Sequence, residues 1–144
     1  MKIILKILLS IITIYILWPY LNFYRLDNAV STNNMIVFEQ LIDIESIRKV
    51  RKENIQWKMQ VLQGKKGSFL PDIIANAAID QMINYPNLLA SLRQINGSLW
   101  QHTSFIFFES PTRFMIRLGN LGHNPLYIEM SLQGWVWRVT AIYE

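Results

Sequence analysis

The chain has 144 residues, 51% of them hydrophobic, with no cysteine and a formal charge of +4, which suits one folded unit and excludes both a disulfide framework and a thiolate metal site. Two of its fourteen Lys and Arg residues, Lys2 and Lys6, precede the first apolar run, so the remainder sets twelve cations against ten acids. That near balance excludes the basic excess of a nucleic-acid binder, and the missing cysteines leave the redox compartment open.

Residues 1–25 open with Lys2 and Lys6, continue through the uncharged run Ile7 to Leu21, and close on Trp18, Pro19, Tyr20, Phe23 and Tyr24. A spanning helix needs about 20 mostly apolar residues, a length reached if Lys6 snorkels to one interface and the Trp and Tyr rings occupy the other. The flanking lysines place the amino terminus in the cytoplasm by the positive-inside rule. The expectation is a transmembrane anchor at 1–24 in the inner membrane, crossing once, with residues 25–144 as a periplasmic domain. A cleaved signal peptide competes, since a charged start and a short apolar run also describe one. Bulky residues at Trp18 to Leu21, where a peptidase would cut, favour retention. A buried core helix is the third reading, and it leaves the lysines and the aromatic cluster unexplained.

Leu21, Tyr24, Leu26 and Val30 continue a helical spacing, so the anchor helix is expected to run on until Ser31 to Asn34. Asn34 suits a helix cap before Met35, Val37, Phe38, Leu41 and Ile42, and Asp43 suits a cap for the next helix. From Ile44 to Leu62 the positions Ile47, Val50, Ile55, Met59 and Leu62 form an amphipathic stripe. Gly64 to Gly67, around Lys65 and Lys66, reads as a loop. Pro71 and Asp72 open a helix with Ile73, Ile74, Ala77, Ala78, Met82 and Ile83 on its buried side. Pro86 is expected to hold Tyr85 extended before a short helix through Leu88, Leu89 and Leu92 that Asn96 and Gly97 stop. The period then changes to that of strands at Phe105 to Glu109, Phe114 to Leu118, Leu126 to Leu132 and Trp135 to Tyr143. In the last of these Trp135, Trp137, Val139, Ala141 and Tyr143 share the face expected to meet the helices. The class is α+β: a transmembrane helix, then three to four helices packed on a C-terminal antiparallel sheet of about four strands.

Trp18-Pro19-Tyr20 and Tyr24-Arg25-Leu26, Leu41-Ile42-Asp43 with Ile47-Arg48, Pro86 with Leu88 and Leu89, Phe108-Glu109-Ser110 with Arg113-Phe114, and Gly134-Trp135-Val136-Trp137-Arg138-Val139 follow one another in an order of their own. Together they make the chain resemble a family of uncharacterised bacterial membrane-anchored proteins known only as a domain of unknown function. The resemblance covers most of the chain and departs at Gly64 to Gly67 and Gly119 to Pro125. It implies an anchored α+β domain related to the cone-shaped fold of nuclear transport factor and cystatin-like proteins, and it carries over no catalytic residue.

Chemistry is sparse. His102 and His123 have no metal-site spacing, Asp72 and Asp80 share one side of a helix as a carboxylate pair would, and Gly64-Lys65-Lys66-Gly67 lacks the pattern of a phosphate loop. Asp43 is a cap first and a pocket acid second. Arg48, Lys49, Arg51 and Lys52 form a basic cluster, read either as a solvated helix face or as a contact for anionic lipid. Trp100, Phe107, Trp135 and Trp137 suggest an aromatic pocket between sheet and helices, with plain core packing as the alternative. The function expected is non-catalytic binding of a small apolar ligand or a protein of the bacterial envelope, with no cofactor, no metal and no nucleic acid. The competing class is a small enzyme using Asp43, His102 or Glu109 as acid or base.

Overall fold

In the computed structural model, which describes residues 1–63, 70–95, 97–119 and 125–143, the chain forms five helices followed by a four-stranded sheet. The expected loop at Gly64 to Gly67, with Lys65 and Lys66, lies outside the described residues, as do Asn96, His123 and the side chains of Met59, Leu62, Asp72, Ile73 and Ile74.

Helix α1 runs unbroken from Lys2 to Ser31 and contains Pro19. Its first seventeen residues are all exposed, while Pro19, Asn22, Phe23, Leu26, Asp27, Ala29 and Val30 are buried. The three- and four-residue spacing of that second set is one helical stripe turned towards the domain. The helix continues through Leu21, Tyr24, Leu26 and Val30 as their spacing implied, but only Leu26 and Val30 lie on the buried stripe, while Leu21 and Tyr24 are exposed. Pro19 has no N–H to give to the carbonyl of Tyr15. Three residues later the Asn22 side-chain amide donates to the Trp18 carbonyl at 2.9 Å. Asn33, in the left-handed region at φ 55°, turns the chain, and Asn34 caps α2 (Met35–Leu41) by accepting from the Val37 N–H at 3.2 Å.

Asp43 caps α3 (Ile44–Gln63): its carboxylate accepts from the Ser46 N–H at 3.2 Å and its carbonyl from the Ile47 N–H at 3.1 Å. Helix α4 (Leu70–Met82) buries Ile79, and Ile83 just after it packs on the core as expected, whereas Ala77, Ala78 and Met82 are exposed. Helix α5 (Tyr85–Arg93) corrects another expectation. Pro86 sits in its first turn, where a missing N–H costs nothing, and the extended residue is Asn84, whose side chain accepts from the Asn87 N–H at 2.9 Å.

Strands β1 (Thr103–Ser110), β2 (Arg113–Leu118), β3 (Leu126–Gln133) and β4 (Val136–Tyr143) form an antiparallel meander in the order β1-β2-β3-β4. The core lies between one sheet face and the helices: Phe114, Ile116, Ile128, Met130 and Trp137 meet Phe23, Leu26, Phe38, Leu41 and Leu89, each at most 2% exposed. The free edge of β4 is partly covered by the segment before α3, where Ile42 bridges Val139 and the Asp43 N–H donates to the Val139 carbonyl at 2.9 Å.

One irregularity alters the expected inner face. Met130 pairs with Val139 but Glu129 pairs with Ala141, leaving Thr140 as a bulge, its hydroxyl 2.9 Å from that of Ser131. An extra residue reverses side-chain parity. Trp137 and Val139 therefore face the core as expected, whereas beyond the bulge Ile142, paired with the fully buried Ile128, takes the inner place expected of Tyr143, and Ala141 is buried at 1% exposure opposite Glu129. Tyr143 instead reaches Glu129, its hydroxyl 3.4 Å from the carboxylate.

Candidate functional site

A cavity of about 230 Å³ opens between α3, α5 and the ends of β3 and β4. The two helical walls follow from local sequence. Ile47 and Arg51 are four apart on α3 and so share a face; Leu88, Ser91 and Leu92 do the same on α5, whose start is set by the Asn84 cap. Ile95 follows α5, Leu126 opens β3, and Ile142 is turned inwards by the bulge at Thr140. The lining is largely aliphatic, with Arg51, Asn87 and Ser91 as its polar members, and it holds no carboxylate or imidazole among the described residues. Such a space can enclose a small apolar body and offer one cation to an acidic group.

The aromatic residues expected to line a pocket are not brought together. Trp137 is fully buried in the core, with its ring 6.1 Å from Phe108 and 6.3 Å from Phe114. Phe107 pairs with Met115 and stacks at 5.6 Å on Phe105, both partly in solvent. Trp100 packs against Phe23 at 5.5 Å while still 44% exposed, and Trp135, at 83% exposed, projects from the β3–β4 turn.

Asp43 is occupied as a cap and a clasp. Its carboxylate accepts from the Ser46 hydroxyl and from the Gln133 amide, both at 2.6 Å, so it ties α3 to the end of β3. Partial burial alone would raise its pKa, but those two side-chain donors, the Ser46 N–H and the positive charge of Arg138 outweigh it and hold the carboxyl below its ordinary range. In the basic cluster, Arg48 donates to the carbonyls of Ile83 at 2.8 Å and Asp80 at 3.2 Å and pairs with Glu45 at 2.9 Å, while Lys52 reaches Asp80 at 2.7 Å. Asp80 thus clamps α4 to α3; Lys49 and Arg51 are the exposed members of the cluster. Glu109 sits 3.6 Å from Arg113 beside the β1–β2 turn.

Asp27 is a buried carboxylate that sequence reasoning missed. It accepts from the Leu99 N–H at 2.7 Å and from the Ser98 hydroxyl at 2.5 Å. The imidazole of His102 lies 3.0 Å from the Ser98 carbonyl. Asp, Ser and His therefore meet, but the hydroxyl is directed to the carboxylate rather than the imidazole, so no base is placed to activate it. Nothing in the local pattern marked Asp27, which sits among polar and charged neighbours, Arg25 and Asn28, in the sequence. Asp43, His102 and Glu109, the candidate acids and bases, stand in three separate places. Among the described residues no three His, Asp or Glu side chains gather as a metal site.

The first helix is long and apolar enough to cross a membrane, with mean hydropathy 2.0 over its best eighteen-residue window and only 6% of that window buried. A core helix of a water-soluble fold would be mostly covered, so the buried-helix reading does not describe it. No curated protein and no solved structure matches the chain. A family model described as a protein of unknown function, DUF2939, matches residues 8–92, from the apolar half of α1 through α5 and short of the sheet. Covering more than half of the chain, that match makes it a member of the DUF2939 family.

Proposed function

We propose that this protein is a single-pass component of the bacterial inner membrane, amino terminus in the cytoplasm, whose periplasmic α+β domain binds a small amphipathic ligand without transforming it. The observation that carries the binding reading is the aliphatic cavity with Arg51 in its wall, a combination suited to an apolar chain ending in a carboxylate or similar anion. The cone-shaped architecture implied by the family resemblance belongs to the same proposal, since a sheet folded over helices leaves a space of this kind at one end. The separation of Asp43, His102 and Glu109 weighs against the enzyme alternative.

Retention of α1 as an anchor is supported by its continuity. Pro19, Phe23 and Leu26 are buried in the domain, and Tyr20 packs edge-on against Phe114 at 4.9 Å. Cleavage after residue 20 would remove part of that packing. The membrane reading is tested by alkaline carbonate, which leaves an integral protein in the pellet; release to the supernatant defeats it.

Binding is tested by titrating octanoate, an eight-carbon carboxylate, into the full chain in nanodiscs, with empty nanodiscs as the blank. A saturable heat is expected that Leu92→Trp abolishes by filling the cavity and Arg51→Gln weakens by about tenfold, the loss of one charge-assisted contact. Heat no greater than the blank defeats the reading.

A further inference from the structure

The relative direction of α1 and the sheet follows from three contacts. Asp27 is held by Ser98 and Leu99, just before β1; Tyr20 packs on Phe114 at the start of β2; and the Tyr15 hydroxyl donates to the carbonyl of Pro111 in the β1–β2 turn. Read backwards along α1, these contacts climb the sheet from the start of β1 to its tip. The apolar half of α1 therefore leaves the domain past the β1–β2 turn.

In a four-stranded meander the first and third turns lie at the same end of the sheet. Here the end of β3 that leads into the third turn is tied to the first turn, the Leu132 N–H donating to the Thr112 carbonyl at 2.9 Å. The third turn is two residues, Gly134 and Trp135, closed by the Gln133–Val136 pair, and Gly134 supplies the positive φ of 63° that a tight hairpin needs. The result is an indole fixed on a short turn, 83% exposed, at the end of the domain from which the apolar helix departs. At the neighbouring turn Arg113 and Glu109, both about half-exposed, form an ion pair at 3.6 Å.

Resting on the reading that α1 spans the bilayer, we propose that this end of the sheet lies against the membrane surface, with Trp135 seated among the lipid headgroups and the Pro111–Thr112 turn beside it. Trp is amphipathic, apolar in its ring system and polar at its N–H, which is why it concentrates at bilayer interfaces. The Pro111 carbonyl, already accepting from Tyr15, brings no unsatisfied acceptor to the contact. The domain is then held to the lipid at three points, rather than swinging on one helix, and the cavity bounded by Leu126 and Ile142 opens at the end away from the membrane.

The absence of native cysteine allows one label at a time. An environment-sensitive fluorophore is attached to Trp135→Cys, Thr112→Cys, Gln101→Cys and Leu8→Cys versions of the full chain, each in phosphatidylethanolamine and phosphatidylglycerol vesicles. Lipids carrying a spin label in the headgroup or in the acyl chain serve as quenchers. Labels at 135 and 112 are expected to lose most of their emission to the headgroup quencher, the label at 8 to the acyl-chain quencher, and the label at 101, at the far end of β1, to neither. Quenching at 8 without quenching at 135 and 112 overturns the surface contact while leaving the anchor intact. Equal quenching at 101 overturns the orientation. No quenching at 8 overturns both readings. Adding Trp135→Ser to the Thr112→Cys chain is expected to reduce the loss of emission at 112; an unchanged signal overturns the part given to Trp135.

Discussion

Asp27 on α1 and Leu99 ahead of β1, seventy-two positions apart, are joined by a hydrogen bond of 2.7 Å from the Leu99 N–H to the buried carboxylate. The long apolar helix is thereby a structural member of the domain, latched to the strand that begins on the other side of the core. Replacing Asp27 by Ala strands the buried Leu99 N–H and removes the partner of the partly buried Ser98 hydroxyl. A loss of about 2–3 kcal/mol is expected, seen as a lower thermal midpoint by circular dichroism in micelles. Asp27→Asn keeps an acceptor and should lose less; equal losses for the two variants would remove the hydrogen bonds as the cause.

Trp137 and Trp135 sit two residues apart with opposite fates. The first is fully buried against Phe108 and Phe114, the second 83% exposed. Trp137→Ala should cost about 3–5 kcal/mol, the usual toll of a large cavity in a packed core. Trp135→Ala should change stability in micelles by no more than about 0.5 kcal/mol. Comparable unfolding midpoints for the two variants would mean that the parity assigned to β4 is wrong.

Asp43 links stability to acid. Its carboxyl lies below the ordinary value of 3.8 when folded, so its contribution is complete above that value and is lost as the pH falls through the lower folded one. Asp43→Ala should cost about 1 kcal/mol at neutral pH as a lost helix cap. The gap from the unmodified chain should narrow below about pH 4. A gap that stays constant down to pH 2 would exclude the charge as its source.

Tyr143 behaves in the opposite sense. Burial first, then the Glu129 charge and hydrogen bond, push its phenol above 10.0. A raised folded value contributes stability below the unfolded pKa, and that stability disappears as the pH rises through the folded one. Tyr143→Phe should therefore lessen the fall in stability above pH 10, followed by thermal unfolding across an alkaline series. An identical alkaline slope in both chains would count against the Glu129 contact.

Local chemistry was legible in advance. The uncharged run from Ile7, the caps at Asn34 and Asp43, the stripe through Ile47 and Val50 and the aromatic and branched make-up of the strands depend on neighbours a few residues away, and so they can be read from order alone. The face of α1 could not be read this way, because Leu21 and Leu26 are equally apolar and only the sheet decides which one is covered. The bulge at Thr140 leaves no mark in the sequence, yet it turns Ile142 into the cavity and Tyr143 out of it. The site was missed for that reason: its wall is assembled from Arg51, Leu92, Leu126 and Ile142, none of them conspicuous singly.

What the sequence by itself determined is therefore the α+β class, the apolar helix at the start and the succession of elements, all products of short-range periodicity and capping. What only the tertiary structure decided is the latch of Asp27 on Leu99, the clasp of Asp43 on Gln133, the cavity, and the end of the sheet from which α1 departs. These join residues from 72 to 96 positions apart or depend on a shift of strand register, and no local pattern encodes which distant partner a side chain meets once the chain has closed on its core.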